Sequence, residues 1–183
     1  MKLLPLAHAC KGAAQTFEDR YEELRHSIAE YYRAHQLRPN DRLDIECGLF
    51  IFWSLEIGLR NTQTWWFDRH LAEARFMGLV RQGLHRPLAA ESAAGPEMDK
   101  LYRHRFRDVM RTIHNIYVSW DSAGRLHVPL TERTTKLFLR YTSEASGQVS
   151  AVTQLALHRL LFEECRACVL DVLSWRPQYG GVA

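Results

Sequence analysis

The sequence predicts a mainly α, single-domain helical bundle of about six helices with one short β-hairpin near residues 117–130. Its composition, 46% hydrophobic and 25% charged, is typical of a globular protein. The run over residues 49–59, LFIFWSLEIGL, is apolar on nearly every side, as expected for a helix buried in a larger core. Other segments repeat apolar residues every three or four positions. A chain of 183 residues is long enough for one full core, so residues 1–183 are expected to form one domain.

The N-terminal part predicts a short arm followed by a long amphipathic helix. Residues 1–14 are expected to form a loose arm, and a helix follows over residues 17 to about 35. A turn over residues 37–41 comes next, with Asn40 or Asp41 as the N-cap of the second helix. The apolar positions that predict the buried stripe of the first helix are Phe17, Tyr21, Leu24, Ile28 and Tyr31 or Tyr32.

The middle of the chain predicts three helices. The central helix spans about residues 42–61 and contains the apolar run. After it, another helix is expected over residues 65–82. Residues 87–96, PLAAESAAGP, are rich in small residues and predict an exposed loop. The last of these three helices is expected over about residues 97–116, where apolar residues again repeat at helical spacing.

The C-terminal third predicts the hairpin and two more helices. Apolar and polar residues alternate on both sides of residues 121–124, and Gly124 suits a turn position with positive φ. Thr131 is expected to cap a helix that runs through about Thr142. A final long helix is expected from Gly147 to about residue 175, and residues 177–183 form a tail.

Charge and hydropathy narrow the class of protein. The net charge is +3 and the pI is near 8.7, with 20 Arg against 4 Lys. This arginine excess fits either a GC-rich genome or the recognition of phosphates by planar guanidinium groups. No apolar run reaches the roughly 18–20 residues that span a bilayer, and the N-terminus does not read as a secretory signal. We therefore expect a cytoplasmic protein with no membrane partner.

The most concentrated charge lies in the helix predicted over residues 97–116. Its residues 99–114 read DKLYRHRFRDVMRTIH. Five cations and two aspartates give this segment a net charge of +3, which equals the net charge of the whole chain. Such a basic stripe attracts polyanions, of which nucleic acid is the commonest. The alternative is a solvated face whose arginines pair with acids elsewhere. The candidate nucleic-acid-binding residues are Lys100, Arg103, Arg105, Arg107 and Arg111.

The same helix contains a candidate catalytic pair. Arg107 and His114 are seven residues apart, two helical turns, so their side chains are expected to point the same way. An arginine that holds a phosphate beside a histidine that moves a proton is a plausible pair for cleaving a phosphodiester.

Residues 55–61, LEIGLRN, with Trp65 and Trp66 just after them, resemble the Glu-x-x-Leu-Arg helix of HEPN domains of the abortive-infection kind. Arg107 and His114, with six residues between them, are similar to the Arg-x(4–6)-His signature of that family. The resemblance covers roughly residues 41–120. It implies an all-helical domain that forms a homodimer, in which the two Arg/His pairs make a metal-independent RNase site. Some members of the family only bind.

Other patterns point to no metal and no cofactor. His158, Cys165 and Cys168 lie nearly on one face of the last predicted helix, but structural zinc needs four ligands. Small buried residues at a helix interface are the favoured interpretation of these cysteines. Glu23 and His26 form only one of the two Glu-x-x-His pairs that a di-iron bundle needs. No Gly-rich phosphate loop, Gly-x-Ser-x-Gly or His-Glu-x-x-His motif is present.

Three functions follow as hypotheses. The leading one is a non-enzymatic nucleic-acid-binding or assembly subunit that uses the helix over residues 100–114, with RNA or single-stranded DNA, or a larger protein assembly, as its partner. The second is a HEPN-like RNase in which Arg107 positions the phosphate and His114 transfers the proton. The third is a helical adaptor that docks a partner protein through an apolar patch.

Overall fold

The computed structural model of the protein describes residues 4–61, 100, 104, 118–144 and 149–174, with side chains from residue 15 onward except at 59 and 60. These residues confirm a mainly helical fold with one antiparallel hairpin. They contain four helices rather than about six, because the helices expected over 65–82 and 97–116 fall almost entirely outside the described ranges. The elements are α1 (Leu4–Ala34), α2 (Leu43–Asn61), β1 (Ser119–Trp120), β2 (Leu126–His127), α3 (Glu132–Thr142) and α4 (Ala151–Ser174).

Helix α1 begins at Leu4, so the prediction of a loose arm over residues 1–14 is wrong from that residue onward. Pro5 lies in the first turn, where a helix has no use for the missing N–H, and the alanines that follow have the highest helix propensity. The predicted stripe is confirmed, since Leu24 and Ile28 are fully buried and Phe17 and Tyr21 are nearly so. This stripe attaches α1 to the core.

Helix α2 occupies the centre of the fold, as its sequence predicts. Every residue from Glu46 to Gly58 is buried, and α2 makes its most extensive contact with α4. The two helices cross closely at Gly58, where an added Cβ would lie 2.8 Å from the Cβ of Val172. A larger residue at position 58 would push α4 away, so glycine sets the spacing between these helices.

The connection between α1 and α2 is tied to the end of α3. The Oδ1 of Asn40 accepts from the N–H of Arg42 at 3.0 Å, in the turn just before α2 begins at Leu43. The same residue donates from its backbone N–H to the carbonyl of Thr142 at 2.9 Å and from Nδ2 to the carbonyl of Tyr141 at 2.8 Å. The Tyr32 hydroxyl also bonds to the Thr142 hydroxyl. These bonds hold the end of α3 against α1 and α2.

The hairpin has the predicted position and turn. Trp120 pairs with Leu126 and Ser119 with His127, while Gly124 adopts a φ of +71° that favours glycine. The Asp121 carboxylate accepts from the backbone N–H groups of Ala123 and Arg125. These bonds lower the pKa of Asp121 below its usual range. The hairpin then leads directly into α3.

Two predicted helix starts have different outcomes. Thr131 caps α3 as predicted, with its hydroxyl accepting from the N–H of Thr134 at 3.2 Å. Helix α4 begins at Ala151 rather than at Gly147, because the Ser150 hydroxyl accepts from the N–H of Thr153 and forms the cap. None of the helices in the described ranges is long and apolar enough to cross a membrane.

The four helices and the strand β2 share one hydrophobic core. Helix α1 contributes Ile28, α2 contributes Ile51, α3 contributes Phe138, α4 contributes Leu161 and β2 contributes Leu126. This common core fixes the orientation of α3, one of whose faces is therefore buried while the opposite face is exposed.

Candidate nucleic-acid interface

The predicted basic helix is described at two positions only. Lys100 and His104 both have helical backbone and both side chains are exposed. Each of these two positions is therefore compatible with a solvent-facing helix over residues 97–116, which stays a prediction. The other predicted site residues lie outside the described ranges, and their roles remain predictions. They are Arg103, Arg105, Arg107, Arg111 and His114.

The α2 residues that carry the HEPN resemblance are described in part. Glu56 is buried, with 7% of its surface exposed. Asn61 joins the end of α2 to the segment before the hairpin, because its Oδ1 accepts from the N–H of Val118 at 3.1 Å and its Nδ2 donates to the carbonyl of Ile57. The structure does not describe the side chain of Arg60. Trp65 and Trp66 also lie outside the described ranges. The resemblance therefore remains a prediction.

The cysteines of α4 are core residues, which confirms the favoured interpretation. Cys165 and Cys168 are fully buried. Burial raises the pKa of the Cys165 thiol to about 12, and it also raises the pKa of Cys168. Burial in apolar surroundings is typical of structural cysteines rather than of reactive ones. His158 forms a hydrogen bond to a different helix: its Nδ1 lies 2.9 Å from the Thr135 hydroxyl oxygen of α3.

The paired tyrosines are likewise structural. Tyr31 and Tyr32 have only 7% and 2% of their surfaces exposed, and the Tyr31 hydroxyl donates to the carbonyl of Thr153 at 2.6 Å. Neither ring is available to stack on a base. Both tyrosines instead belong to the buried stripe of α1.

The structure reveals a second basic surface that the sequence analysis missed. We define the α3 stripe as the side chains of Arg133, Lys136 and Arg140, which are all exposed. Their spacing of three and four residues places them within about 60° around the helix axis, at 100° per residue. The opposite face of α3 is buried through Phe138 and Leu139. The 3–4 spacing of cations opposite an apolar face was the available signal.

The α3 stripe is also electrostatically unsatisfied. Across the described ranges, none of its three cations forms an ion pair or a side-chain hydrogen bond. The nearest acids in the sequence are Glu132, in the first turn of α3, and Glu144, just beyond its end; both are exposed. An acid in the first turn interacts favourably with the helix dipole, so Glu132 has a local role of its own. The stripe can therefore offer its three charges to an external anion.

Among the described residues, no group of three His, Cys, Asp or Glu side chains is placed to hold a metal ion. Comparison with known protein families, with curated proteins and with solved structures finds no match to the chain.

Proposed function

We propose that this protein is a nucleic-acid-binding subunit that contacts the phosphate backbone through the helix over residues 100–114. The observation that carries the proposal is the charge of residues 99–114, whose +3 equals the net charge of the whole chain. The rest of the sequence balances to zero, so this segment accounts for the whole excess of positive charge in the chain.

The described residues of that segment support the proposal. Lys100 and His104 are exposed and helical, as a helix that presents cations to solvent requires. Phosphate contacts of this kind are insensitive to base sequence but release counterions, so that affinity falls steeply as salt is raised. Single-stranded RNA, single-stranded DNA and duplex DNA should all be retained at low salt.

The test is a salt titration of binding to these three nucleic acids. Replacing Arg103, Arg107 and Arg111 together by Gln should reduce the slope of log affinity against log salt by about 2 for a single strand and about 3 for a duplex. The matched control replaces three arginines that already pair with the chain's own carboxylates, which are Arg25, Arg125 and Arg166. An equal loss in both triple variants would mean that only net charge matters. No retention of wild-type protein at low salt would overturn the proposal and direct attention to a protein partner.

A second candidate is a metal-independent RNase. The observation that favours it is the Arg107 and His114 spacing of two helical turns, together with the HEPN resemblance. In that reaction Arg107 would stabilise the negative charge of the phosphate while His114 transfers the proton.

Substitution of His114 by Ala distinguishes this candidate from binding alone. If the chain is an RNase, this change abolishes cleavage of labelled RNA in the presence of EDTA while retention persists, because a neutral histidine adds little to backbone affinity. Arg107→Ala should reduce both readouts. Absence of any wild-type cleavage would leave only the binding function.

A further inference from the structure

We infer that the α3 stripe is a second contact surface for the phosphate backbone of a nucleic acid. This inference rests on the proposed function in so far as the ligand is a nucleic acid, but it concerns different residues on a different helix. It starts from the three cations Arg133, Lys136 and Arg140, which are exposed and unpaired across the described ranges.

The contrast with other arginines in the fold supports an external ligand. Arg25 lies 3.0 Å from the Asp44 carboxylate, and Arg125 lies 2.7 Å from the Asp121 carboxylate. Arg166 lies 3.2 Å from Glu163. These cations are compensated within the chain. Among the described residues, none compensates the α3 stripe in this way, so its charges can reach the phosphates of a polyanion.

The dimensions of the stripe fit a phosphate backbone. Arg133 and Arg140 are seven residues apart, which corresponds to about 10 Å along the helix axis. Phosphates on one strand of a duplex recur at about 3.4 Å of axial rise, so about 10 Å corresponds to about three such steps. The stripe is therefore long enough for its cations to contact different phosphates of one strand.

The surface is also rigid. Thr135, on the buried side of α3, bonds to His158 of α4 at 2.9 Å. Phe138 packs edge-on against Phe50 of α2, with ring centroids 5.8 Å apart. Asn40 bonds to the carbonyls at the end of α3. The backbone that carries the cations is held in place before any ligand binds, which lowers the entropic cost of binding.

The test compares four proteins in the same salt titration with a labelled single-stranded RNA and a duplex DNA of equal length. They are the wild type, the α3 variant Arg133→Gln/Lys136→Gln/Arg140→Gln, the variant of Arg103, Arg107 and Arg111, and the control variant of Arg25, Arg125 and Arg166. All four have their urea midpoints measured. Glutamine is a good helix former, and the stripe residues are exposed, so α3 should persist.

The expected result is a weaker salt dependence in the α3 variant. Between 50 and 200 mM salt the wild type should lose about 20-fold more affinity for single-stranded RNA than the α3 variant, and about 40-fold more for duplex DNA, if three contacts are removed. The control variant should keep the wild-type slope. A fifth protein, Arg133→Lys/Arg140→Lys, should bind like the wild type in the same titration, because charge rather than guanidinium geometry is recognised.

Each other outcome is decisive. Equal losses in the α3 variant and in the control would overturn the inference, since net charge alone would explain them. A wild-type slope in the α3 variant, with a loss in the variant of residues 103, 107 and 111, would overturn the α3 surface while the proposed function stands. A loss confined to the α3 variant would support the α3 surface and overturn the role of the 100–114 helix. No binding by the wild type would overturn both.

Discussion

Helices α1 and α3 both expose cations, but they use them differently. On α1, Arg20 lies 2.9 Å from Asp171 of α4 and 2.8 Å from Glu23 of its own helix, with only a quarter of its side chain exposed. On α3, the cations of the stripe have no acidic partner in the described ranges. The same residue type thus joins helices in one place and leaves charge at the surface in another. Which role an arginine takes depends on the acids that the fold brings near it.

The largest expected effect is a loss of folding stability at high pH, caused by the buried tyrosines of α1. Burial raises the pKa of Tyr21, Tyr31 and Tyr32 to about 12. A folded pKa above the unfolded value of 10 means that these groups stabilise the fold fully below pH 10, and that this contribution is lost as pH rises to about 12. Arginines stay charged over that range, so the two arginines of the α3 stripe do not contribute to the loss.

Urea unfolding at several pH values checks this prediction. The midpoint should fall between pH 10 and 12, and Tyr31→Phe should reduce the fall because it removes one of the titrating groups. A midpoint that stays constant through pH 12 would contradict the assignment of these rings to the core.

The next effect separates paired from unpaired cations. Arg20→Ala should destabilise the protein by about 1–2 kcal/mol, because it removes a half-buried ion pair between α1 and α4 and the packing of the arginine stem. Arg133→Ala should change stability by less than about 0.5 kcal/mol, as expected for an exposed residue that pairs with none of the described acids. Urea denaturation measures both.

A double-mutant cycle sharpens this difference. Arg20→Ala and Asp171→Ala should couple by about 1 kcal/mol. A coupling near zero would show that the ion pair adds nothing, and that Arg20 differs from Arg133 only by its packing.

The smallest effect tests whether the α3 stripe is kept at a cost in stability. Lys136→Glu would place an acid three residues after Arg133 and four residues before Arg140, which creates two ion pairs on the helix surface. Each pair should stabilise α3 by about 0.2–0.5 kcal/mol. The substitution also places an acid four residues after Glu132, and like charges at that spacing destabilise a helix by a similar amount. The free energy of unfolding should therefore change by less than about 0.5 kcal/mol, while nucleic-acid retention falls. A loss of more than about 1 kcal/mol would contradict the exposure of the stripe.

Much of the fold was predictable from sequence where local signals are strong. The all-apolar run of α2, the stripe of α1, the Thr131 cap and the turn at Gly124 each have a local physical cause, and the structure confirms them. The starts of α1 and α4 were predicted less well. A proline can belong to a first helical turn, and a serine at position 150 can cap more strongly than the glycine before it.

The candidate interfaces show the same division. The charge of residues 99–114 is visible as a run in the sequence, and it predicts a ligand class without any structure. The α3 stripe is not a run, because its cations alternate with residues of the opposite face. Its significance appears only when the fold shows which arginines have acids beside them.

The sequence by itself determined the helical class, the central buried helix and the segment in which positive charge is concentrated. These depend on periodicity and composition, which act between residues close in the chain. The tertiary structure decided which polar side chains are compensated. Arg20 meets Asp171 across 151 positions of sequence, and no local pattern encodes that distance. Among the described residues, the unpaired state of the α3 stripe has the same cause, since it depends on where acids distant in sequence come to lie.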